Sequence, residues 1–255
     1  MLELDKISYW YGAGSPAVDG VTLRFEPGEL VALTGPNGSG KSTLLKCAAR
    51  VLAPQSGSIR LDHEEAQRWQ PKAYARAVGY LPQNPEPVVP IRAIDVVVSG
   101  RAPYLGRFSW ESARDYEEAD RALRLCDAAH LAQRYLDEMS GGERKRIFLA
   151  RVLAGQPRLI LLDEPLTALD VAHVQQLAAL LRQVVQRTTA TVIFSSHELN
   201  WSAAYADRML VMNRGRVVMD GRPHEVMTPE VMRDAFGFDA EAVKTADRTW
   251  IVPRV

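Results

Sequence analysis

A short glycine-rich segment constrains the fold and chemistry of this chain more than any other feature. It reads Gly35-Pro36-Asn37-Gly38-Ser39-Gly40-Lys41-Ser42-Thr43 and fits the pattern G-x-x-x-x-G-K-[ST]. Glycines let the backbone turn closely around a phosphate, the lysine reaches the β- and γ-phosphates, and the next hydroxyl can ligate Mg²⁺. The apolar run at residues 30–34 predicts a strand entering the segment, and residues 42–52 predict a helix leaving it. We therefore predict that this phosphate loop, residues 35–43, binds a nucleoside triphosphate.

The composition is that of an ordinary globular protein. The 255 residues are 47% hydrophobic and 24% charged, with 31 basic and 31 acidic side chains. Because these charges balance, the chain lacks the positive field that holds nucleic acid, and no nucleic acid partner is expected. The first residues lack the pattern of a signal peptide, and no apolar run approaches the roughly 18 residues that cross a bilayer. Any role at a membrane is therefore expected to depend on a partner.

Strand and helix patterns alternate along the chain, which predicts an α/β fold with a mostly parallel sheet covered by helices. The strand patterns lie at residues 2–9, 21–25, 30–34, 58–61, 78–81, 159–162, 191–195, 209–213 and 217–220. Between residues 91 and 155 the pattern changes to helical segments at 91–99, 112–129 and 142–154. The proline-rich residues 82–90 in front of them predict a stiff hinge. We therefore expect a helical block inserted into an α/β domain.

A second chemical motif follows the apolar strand pattern at residues 159–162. It consists of the adjacent carboxylates Asp163 and Glu164, followed by a proline. At the carboxyl edge of a sheet, Asp163 can help to position Mg²⁺, and Glu164 can activate a water for attack on a γ-phosphate. The alternative is a strand that simply ends in a charged turn. The phosphate loop in the same chain favours the catalytic interpretation, and Glu164 favours hydrolysis.

A third motif, Met139-Ser140-Gly141-Gly142-Glu143, comes directly before an amphipathic helical pattern. Such a turn offers free N–H groups, a hydroxyl and the positive end of the helix dipole to an anion, although alone it is more often a cap. The order of the motifs is more specific than any one of them. It runs from the phosphate loop through Gln83, the helical block, the signature segment 139–143, Asp163-Glu164-Pro165 and Ala168-Leu169-Asp170 to His197 after a strand. Over essentially its whole length the chain resembles the ATP-binding subunit of an ABC transporter.

The resemblance implies roles for residues near the phosphate loop. Gln83 matches the family's glutamine that senses Mg²⁺ or the attacking water, and His197 matches the switch histidine that contacts the γ-phosphate. Tyr11 resembles the aromatic residue that stacks on adenine, while the adjacent Tyr9 and Trp10 leave that assignment open. The resemblance thus implies ATP and Mg²⁺ as cofactors, with Ser42, Gln83 and Asp163 toward the metal and Glu164, His197 and Gln83 in catalysis.

Other matching residues imply an assembly. Ser140, Gly141 and Gly142 resemble the signature that closes on the γ-phosphate of a nucleotide held by the other protomer. Asp170 resembles the aspartate that crosses the dimer interface. The resemblance therefore implies a head-to-tail homodimer with two transmembrane permease subunits and, indirectly, an extracellular or periplasmic solute-binding protein. It implies a peripheral location at the cytoplasmic face of the inner membrane.

The same resemblance implies a P-loop NTPase fold with an N-terminal antiparallel β element. Residues 1–255 would form one ATP-binding domain, and residues 84–155 a helical subdomain within it. The chain departs from the usual family residues at Met139, Glu143 and Leu166, where leucine, glutamine and threonine are common. None of these changes removes a phosphate-contacting group, so ATP hydrolysis is still implied.

Three further segments, at residues 99–106, 170–173 and 197–208, resemble importers of ferric siderophores, haem and cobalamin. We therefore expect the energy-coupling subunit of a metal-chelate importer. Its residues Val88, Val89 and Ile91 are candidates for the wall of a groove that receives a permease helix, and the alternative is that they pack inside the helical block. An importer of another small solute remains an alternative, as does a soluble ABC-type ATPase. The soluble class would be expected to show two cassettes, an inserted coiled coil or a zinc site, and the sequence shows none of these patterns.

Overall fold

The computed structural model describes residues 1–12, 14–85, 90–167, 170–245 and 248–254. The strands are β1 (Leu2–Tyr9), β2 (Val18–Phe25), β3 (Leu30–Thr34), β4 (Ser56–Leu61), β5 (Glu64–Glu65), β6 (Val78–Leu81), β7 (Leu159–Leu162), β8 (Thr191–Ser195), β9 (Arg208–Asn213), β10 (Arg216–Gly221), β11 (Ala240–Lys244) and β12 (Thr249–Pro253). The α-helices are α1 (Lys41–Ala48), α2 (Pro71–Ala77), α3 (Ala93–Val98), α4 (Ala113–Leu125), α5 (Gly141–Ala154), α6 (Val171–Thr188), α7 (Leu199–Tyr205), α8 (Pro223–Val226) and α9 (Pro229–Val231). Shorter 3₁₀ or π turns lie at Ala66–Arg68, Ser99–Tyr104, Ala129–Leu131, Leu136–Glu138 and Met232–Phe236.

A six-stranded sheet in the order β10-β9-β3-β8-β7-β6 forms the centre of the fold. The strands from β9 to β6 are parallel, and β10 runs antiparallel at one edge. Strands β3, β7 and β8 are buried at every residue, and the side chains of one strand alternate between two hydrophobic clusters. In β7, Leu159 and Leu161 pack into one cluster, and Ile160 and Leu162 into the other. These features confirm the predicted α/β fold class.

A second sheet, in the order β2-β1-β4-β5, is antiparallel throughout. Its buried side chains, such as Leu4 of β1 and Leu23 of β2, share one cluster with Leu161 of β7 and with Leu44 and Leu45 of α1. The antiparallel sheet and α1 therefore cover the same face of the central sheet. This confirms the antiparallel N-terminal element that the family resemblance implied.

Helices α3, α4 and α5 lie between β6 and β7 in sequence and pack on one another through Val97, Leu123 and Ile147, which are all fully buried. The start of α4 is fixed by Asp115, whose carboxylate accepts from the Ser112 N–H and hydroxyl at 2.9 and 2.7 Å. The same carboxylate forms a buried ion pair with Arg101, with 3.1 Å between Nε and Oδ1. Asp115 thus ties α4 to the preceding 3₁₀ turn.

Several boundaries differ from the predicted ones. The helix predicted at 42–52 ends at Ala48, and Arg50 just beyond it has a left-handed φ of 57°. The helix predicted at 112–129 ends at Leu125, and Asp127 has a φ of 50°. The antiparallel hairpin of β11 and β12 was not predicted, because its largely exposed strands leave little apolar pattern. Among the described residues, no helix is both long and apolar enough to cross a membrane.

Candidate nucleotide-binding site

The phosphate loop connects β3, at the centre of the sheet, to the first residue of α1. Two glycines make this path possible, because Gly35 has a φ of 144° and Gly40 a φ of 105°. A Cβ at either position would lie 2.1 Å from a backbone oxygen, that of Met212 or that of Ala17. The loop therefore passes where no side chain fits, and the free N–H groups at the start of α1 remain available to a phosphate.

Lys41 folds back onto the loop that precedes it. Its Nζ donates to the carbonyl oxygens of Gly35 at 2.8 Å and of Pro36 at 3.0 Å. Burial lowers the pKa of Lys41, and the nearby carboxylates of Glu164 and Asp163 oppose that shift. These neutral carbonyl partners can be exchanged for charged phosphate oxygens, which make stronger hydrogen bonds with an ammonium group.

Asp163 is the buried acceptor of the site, with 2% of its surface exposed. Its Oδ1 accepts from Ser42 Oγ at 2.9 Å and from Ser195 Oγ at 2.7 Å. Hydroxyl and carboxylate oxygens are the donors that Mg²⁺ prefers, so these residues fit that ion. No group of three or more histidine, cysteine, aspartate or glutamate side chains that could hold a metal occurs among the described residues.

Glu164 lies at the centre of a polar group formed by three separate segments. Its Oε2 accepts from Gln83 Nε2 at 2.8 Å and from Thr167 Oγ1 at 3.1 Å, and it lies 3.9 Å from His197 Nδ1. The backbone of Glu164 is left-handed, with a φ of 49°, and its N–H donates to Ser195 Oγ at 2.8 Å. The structure thus brings together the predicted catalytic residues Gln83, Glu164 and His197.

A cavity of about 600 Å³ lies in front of the phosphate loop. Its walls include Gln83, Glu164 and His197 together with Tyr11 and the loop itself. The ring of Tyr11 is exposed, and its hydroxyl lies 3.4 Å from Thr43 Oγ1. The cavity therefore combines an aromatic side chain, free N–H groups and the carboxylate of Glu164 within a volume typical of small-molecule sites.

The remaining predicted site residues lie elsewhere in the chain. Ser140 is the N-cap of α5, where its Oγ accepts from the N–H of Glu143 at 3.3 Å. Asp170 is the N-cap of α6 and accepts from the N–H of His173 at 2.9 Å. Among the described residues, neither the glycines of the signature segment nor these two caps line the cavity at the phosphate loop. Val88 and Val89, predicted to line a groove, fall outside the described residues, whereas Ile91 is exposed.

Sequence reasoning missed three residues that contact the site. The Ser195 hydroxyl donates to Asp163, and the Thr167 hydroxyl donates to Glu164. Lys145 of α5 donates from its Nζ to the backbone oxygens of Glu164 and Thr167. Burial lowers the pKa of Lys145, and Glu164 opposes this shift. Of the three, only Ser195 could have been found from the sequence, because it ends the predicted strand 191–195 and Asp163 follows the predicted strand 159–162.

The chain is similar to known proteins over most of its length. Residues 18–167 match the protein family described as ABC transporter. One relative is the hemin import ATP-binding protein HmuV of Escherichia coli O157:H7, 36% identical over 237 residues, which are 91% of this chain and 90% of that protein. Another is the ferric enterobactin transport ATP-binding protein FepC of Escherichia coli strain K12, 34% identical over 236 residues, or 92% and 87% of the two chains.

Solved structures share the fold over most of the chain. One is described as an inward-facing conformation of a metal-chelate type ABC transporter, with a TM-score of 0.85 and 28% identity over 100% of this chain and 97% of that chain. Another is a dimeric ATP-binding cassette in a post-hydrolysis state bound to ADP and Pi. Its TM-score is 0.78 at 25% identity, over 88% of this chain and 99% of that chain.

Proposed function

Since this chain belongs to the ABC transporter family, as an ATP-binding subunit that hydrolyses ATP, we propose that it supplies energy to an importer of a metal chelate. The cargo class is haem, a ferric siderophore or cobalamin. The relatives named for hemin import and ferric enterobactin transport support this class, because each aligns over about nine tenths of this chain. The metal-chelate type transporter that shares its fold supports the same class.

The observation that carries the hydrolytic part of the proposal is the position of Glu164 beside the phosphate loop. Its carboxylate faces the cavity together with Gln83 and His197. In the proposed reaction the oxygen of a water attacks the γ-phosphorus of ATP, and Glu164 takes the proton of that water. The bond from the γ-phosphorus to the β–γ bridging oxygen breaks, and ADP and phosphate leave.

The other residues of the cavity bind and orient ATP. Lys41 and the N–H groups of the loop contact the β- and γ-phosphates, His197 contacts the γ-phosphate and Tyr11 stacks on adenine. Ser42, Asp163 and Gln83 would hold Mg²⁺. When bound, this ion neutralises charge on the β- and γ-phosphates.

We further propose how the subunit is assembled. Residues 1–255 form one ATP-binding domain, with residues 84–155 as its helical subdomain. Ser140, Gly141, Gly142 and Asp170 meet the nucleotide of a second protomer in a head-to-tail homodimer. The dimer lies at the cytoplasmic face of the inner membrane and binds two permease subunits, which receive cargo from a solute-binding protein outside.

Transport in reconstituted vesicles tests this function. The subunit is co-expressed with its permease subunits, and the complex is placed in vesicles with ATP inside and the solute-binding protein outside. Uptake of haem, a ferric siderophore and cobalamin is measured separately, with Glu164→Gln as the hydrolysis-deficient control. We expect ATP-dependent uptake of one of the three, absent with the variant. ATP hydrolysis without uptake of any of them would contradict metal-chelate import but not the ATPase assignment.

A further inference from the structure

Tyr80, at the third position of β6, has a buried hydroxyl without a partner. Its oxygen makes no hydrogen bond within the described residues. A buried donor without an acceptor is unfavourable, and native proteins contain few of them. The hydroxyl therefore requires an explanation, and its neighbours in the sheet provide one.

The register of the sheet places Tyr80 beside Asp163. Strands β6 and β7 run parallel, with Tyr80 opposite Leu161 and Leu81 opposite Leu162. The N–H of Asp163 donates to the Leu81 oxygen at 2.8 Å, which continues this pairing beyond the end of β7. Since side chains alternate along a strand, Tyr80, Leu161 and Asp163 project from one face, the face that α1 covers. Asp163 is thus the diagonal neighbour of Tyr80, within reach of an aromatic side chain.

Asp163 has an oxygen available for this hydroxyl. Its Oδ1 accepts from Ser42 and Ser195, whereas its Oδ2 accepts no hydrogen bond within the described residues. A tyrosine hydroxyl has one proton to donate, so it complements a carboxylate that lacks one donor.

We propose that Tyr80 is a positioning residue for the magnesium site, whose hydroxyl donates to Oδ2 of Asp163 when nucleotide is bound. This bond fixes the rotation of the carboxylate, while Ser195 holds Oδ1 from the other side. Partners behind a ligating carboxylate set its orientation and so the affinity for the metal. The inference rests on the proposed ATP and Mg²⁺ site, and it concerns metal binding rather than nucleotide binding.

The variant Tyr80→Phe removes only the hydroxyl and tests this role. Binding of a non-hydrolysable ATP analogue is measured by calorimetry, first in EDTA and then over a series of Mg²⁺ concentrations. We expect the affinity for the analogue in EDTA to stay within about twofold of the parent. The Mg²⁺ midpoint, which is the Mg²⁺ concentration that gives half of the gain in affinity for the analogue, should rise about tenfold. A tyrosine that only fills space would leave this concentration unchanged.

The matched control is Tyr74→Phe on α2. The Tyr74 hydroxyl is also buried, belongs to the same hydrophobic cluster and donates to the Ala48 oxygen at 2.6 Å. Loss of the Tyr74 hydroxyl is expected to lower the melting temperature without changing the Mg²⁺ midpoint.

Two outcomes with Tyr80→Phe would overturn the inference. One is an unchanged Mg²⁺ midpoint, and the other is an equal loss of affinity with and without Mg²⁺, which would assign the hydroxyl to the phosphate loop. The parent protein tests the proposed function separately. If Mg²⁺ does not strengthen its binding of the analogue, the proposed metal site fails before any variant is compared.

Discussion

Glu164 is the proposed general base, and its carboxylate lies beside Gln83 and His197. An amide at this position keeps the shape of the side chain but cannot take a proton from water. Glu164→Gln should therefore keep ATP binding and slow ATP hydrolysis by about 10²- to 10⁴-fold, the usual contribution of a positioned base. Phosphate release at saturating ATP measures the rate, and calorimetry with ATP measures binding.

Glu198→Gln is the matched control for this change. Glu198 also faces His197, at 3.5 Å from Nε2, but its side chain is 52% exposed and lies outside the cavity at the phosphate loop. We expect hydrolysis within about twofold of the parent, because an exposed carboxylate contributes little. An equal loss of hydrolysis rate in both variants would contradict the assignment of Glu164 as the base. It would show that the rate depends on negative charge around His197 rather than on proton transfer to Glu164.

The sequence predicts those site residues that follow from a local motif. Lys41, Ser42, Asp163 and Glu164 belong to motifs whose chemistry requires them at fixed spacing. Tyr80 could not be assigned in this way, because its role depends on which strands are neighbours and in which register. Strands β6 and β8 are separated by more than 100 residues in the chain, and parallel pairing of each with β7 brings them together.

Among the helices and strands, the buried ones were predicted best. The four residues of β7 are all buried, and their continuous apolar run predicted the observed bounds, Leu159–Leu162. Helix ends were predicted less well, because residues such as Arg50 and Asp127 adopt left-handed conformations that their type does not indicate. The exposed hairpin β11–β12 is stabilised in part by contacts distant in sequence, as when Asn200 bonds to the backbone N–H and C=O of Ile251.

Helix α4 gives a prediction about pH. Hydrogen bonds from the Ser112 hydroxyl and N–H, and then the contact with Arg101, lower the pKa of Asp115. The pKa of Asp115 in the folded protein therefore lies below the unfolded value of about 3.9. The ionised carboxylate stabilises the fold fully above that pH, and this stabilisation is lost as the pH falls through the folded pKa. Asp115→Asn should lower the free energy of unfolding by about 3 kcal/mol at pH 7 because Arg101 loses its buried partner.

Urea unfolding between pH 7 and pH 3 measures this effect. The difference between parent and Asp115→Asn should narrow at the acid end of the series. Glu117→Gln changes an exposed carboxylate on the same helix, and its effect is expected to stay below about 0.5 kcal/mol at every pH. A constant difference between parent and Asp115→Asn would contradict the lowered pKa.

At the scale of the whole molecule, the nucleotide-binding cavity of one chain lacks some of the residues predicted to contact the nucleotide. Ser140 is the N-cap of α5 and Asp170 is the N-cap of α6, and neither lines the cavity at the phosphate loop. In the proposed homodimer a second protomer supplies these groups, which adds a hydroxyl and a helix N-terminus to the phosphates. The family resemblance implied this arrangement, but the sequence alone could not, since the order of motifs does not say whether they meet within or between chains.

The dimer can be tested by blocking the signature segment. In the Glu164→Gln background, ATP and Mg²⁺ should shift the protein from monomer to dimer on gel filtration, because nucleotide is bound but not hydrolysed. Adding Ser140→Arg should abolish the shift, since a long cationic side chain would fill the space for the partner's γ-phosphate. Ser112→Arg is the matched control, an exposed N-cap serine of α4 with an acidic residue three positions later, and this variant should still dimerise. A dimer with Ser140→Arg, or a monomer without it at saturating ATP, would place the signature segment outside the nucleotide interface.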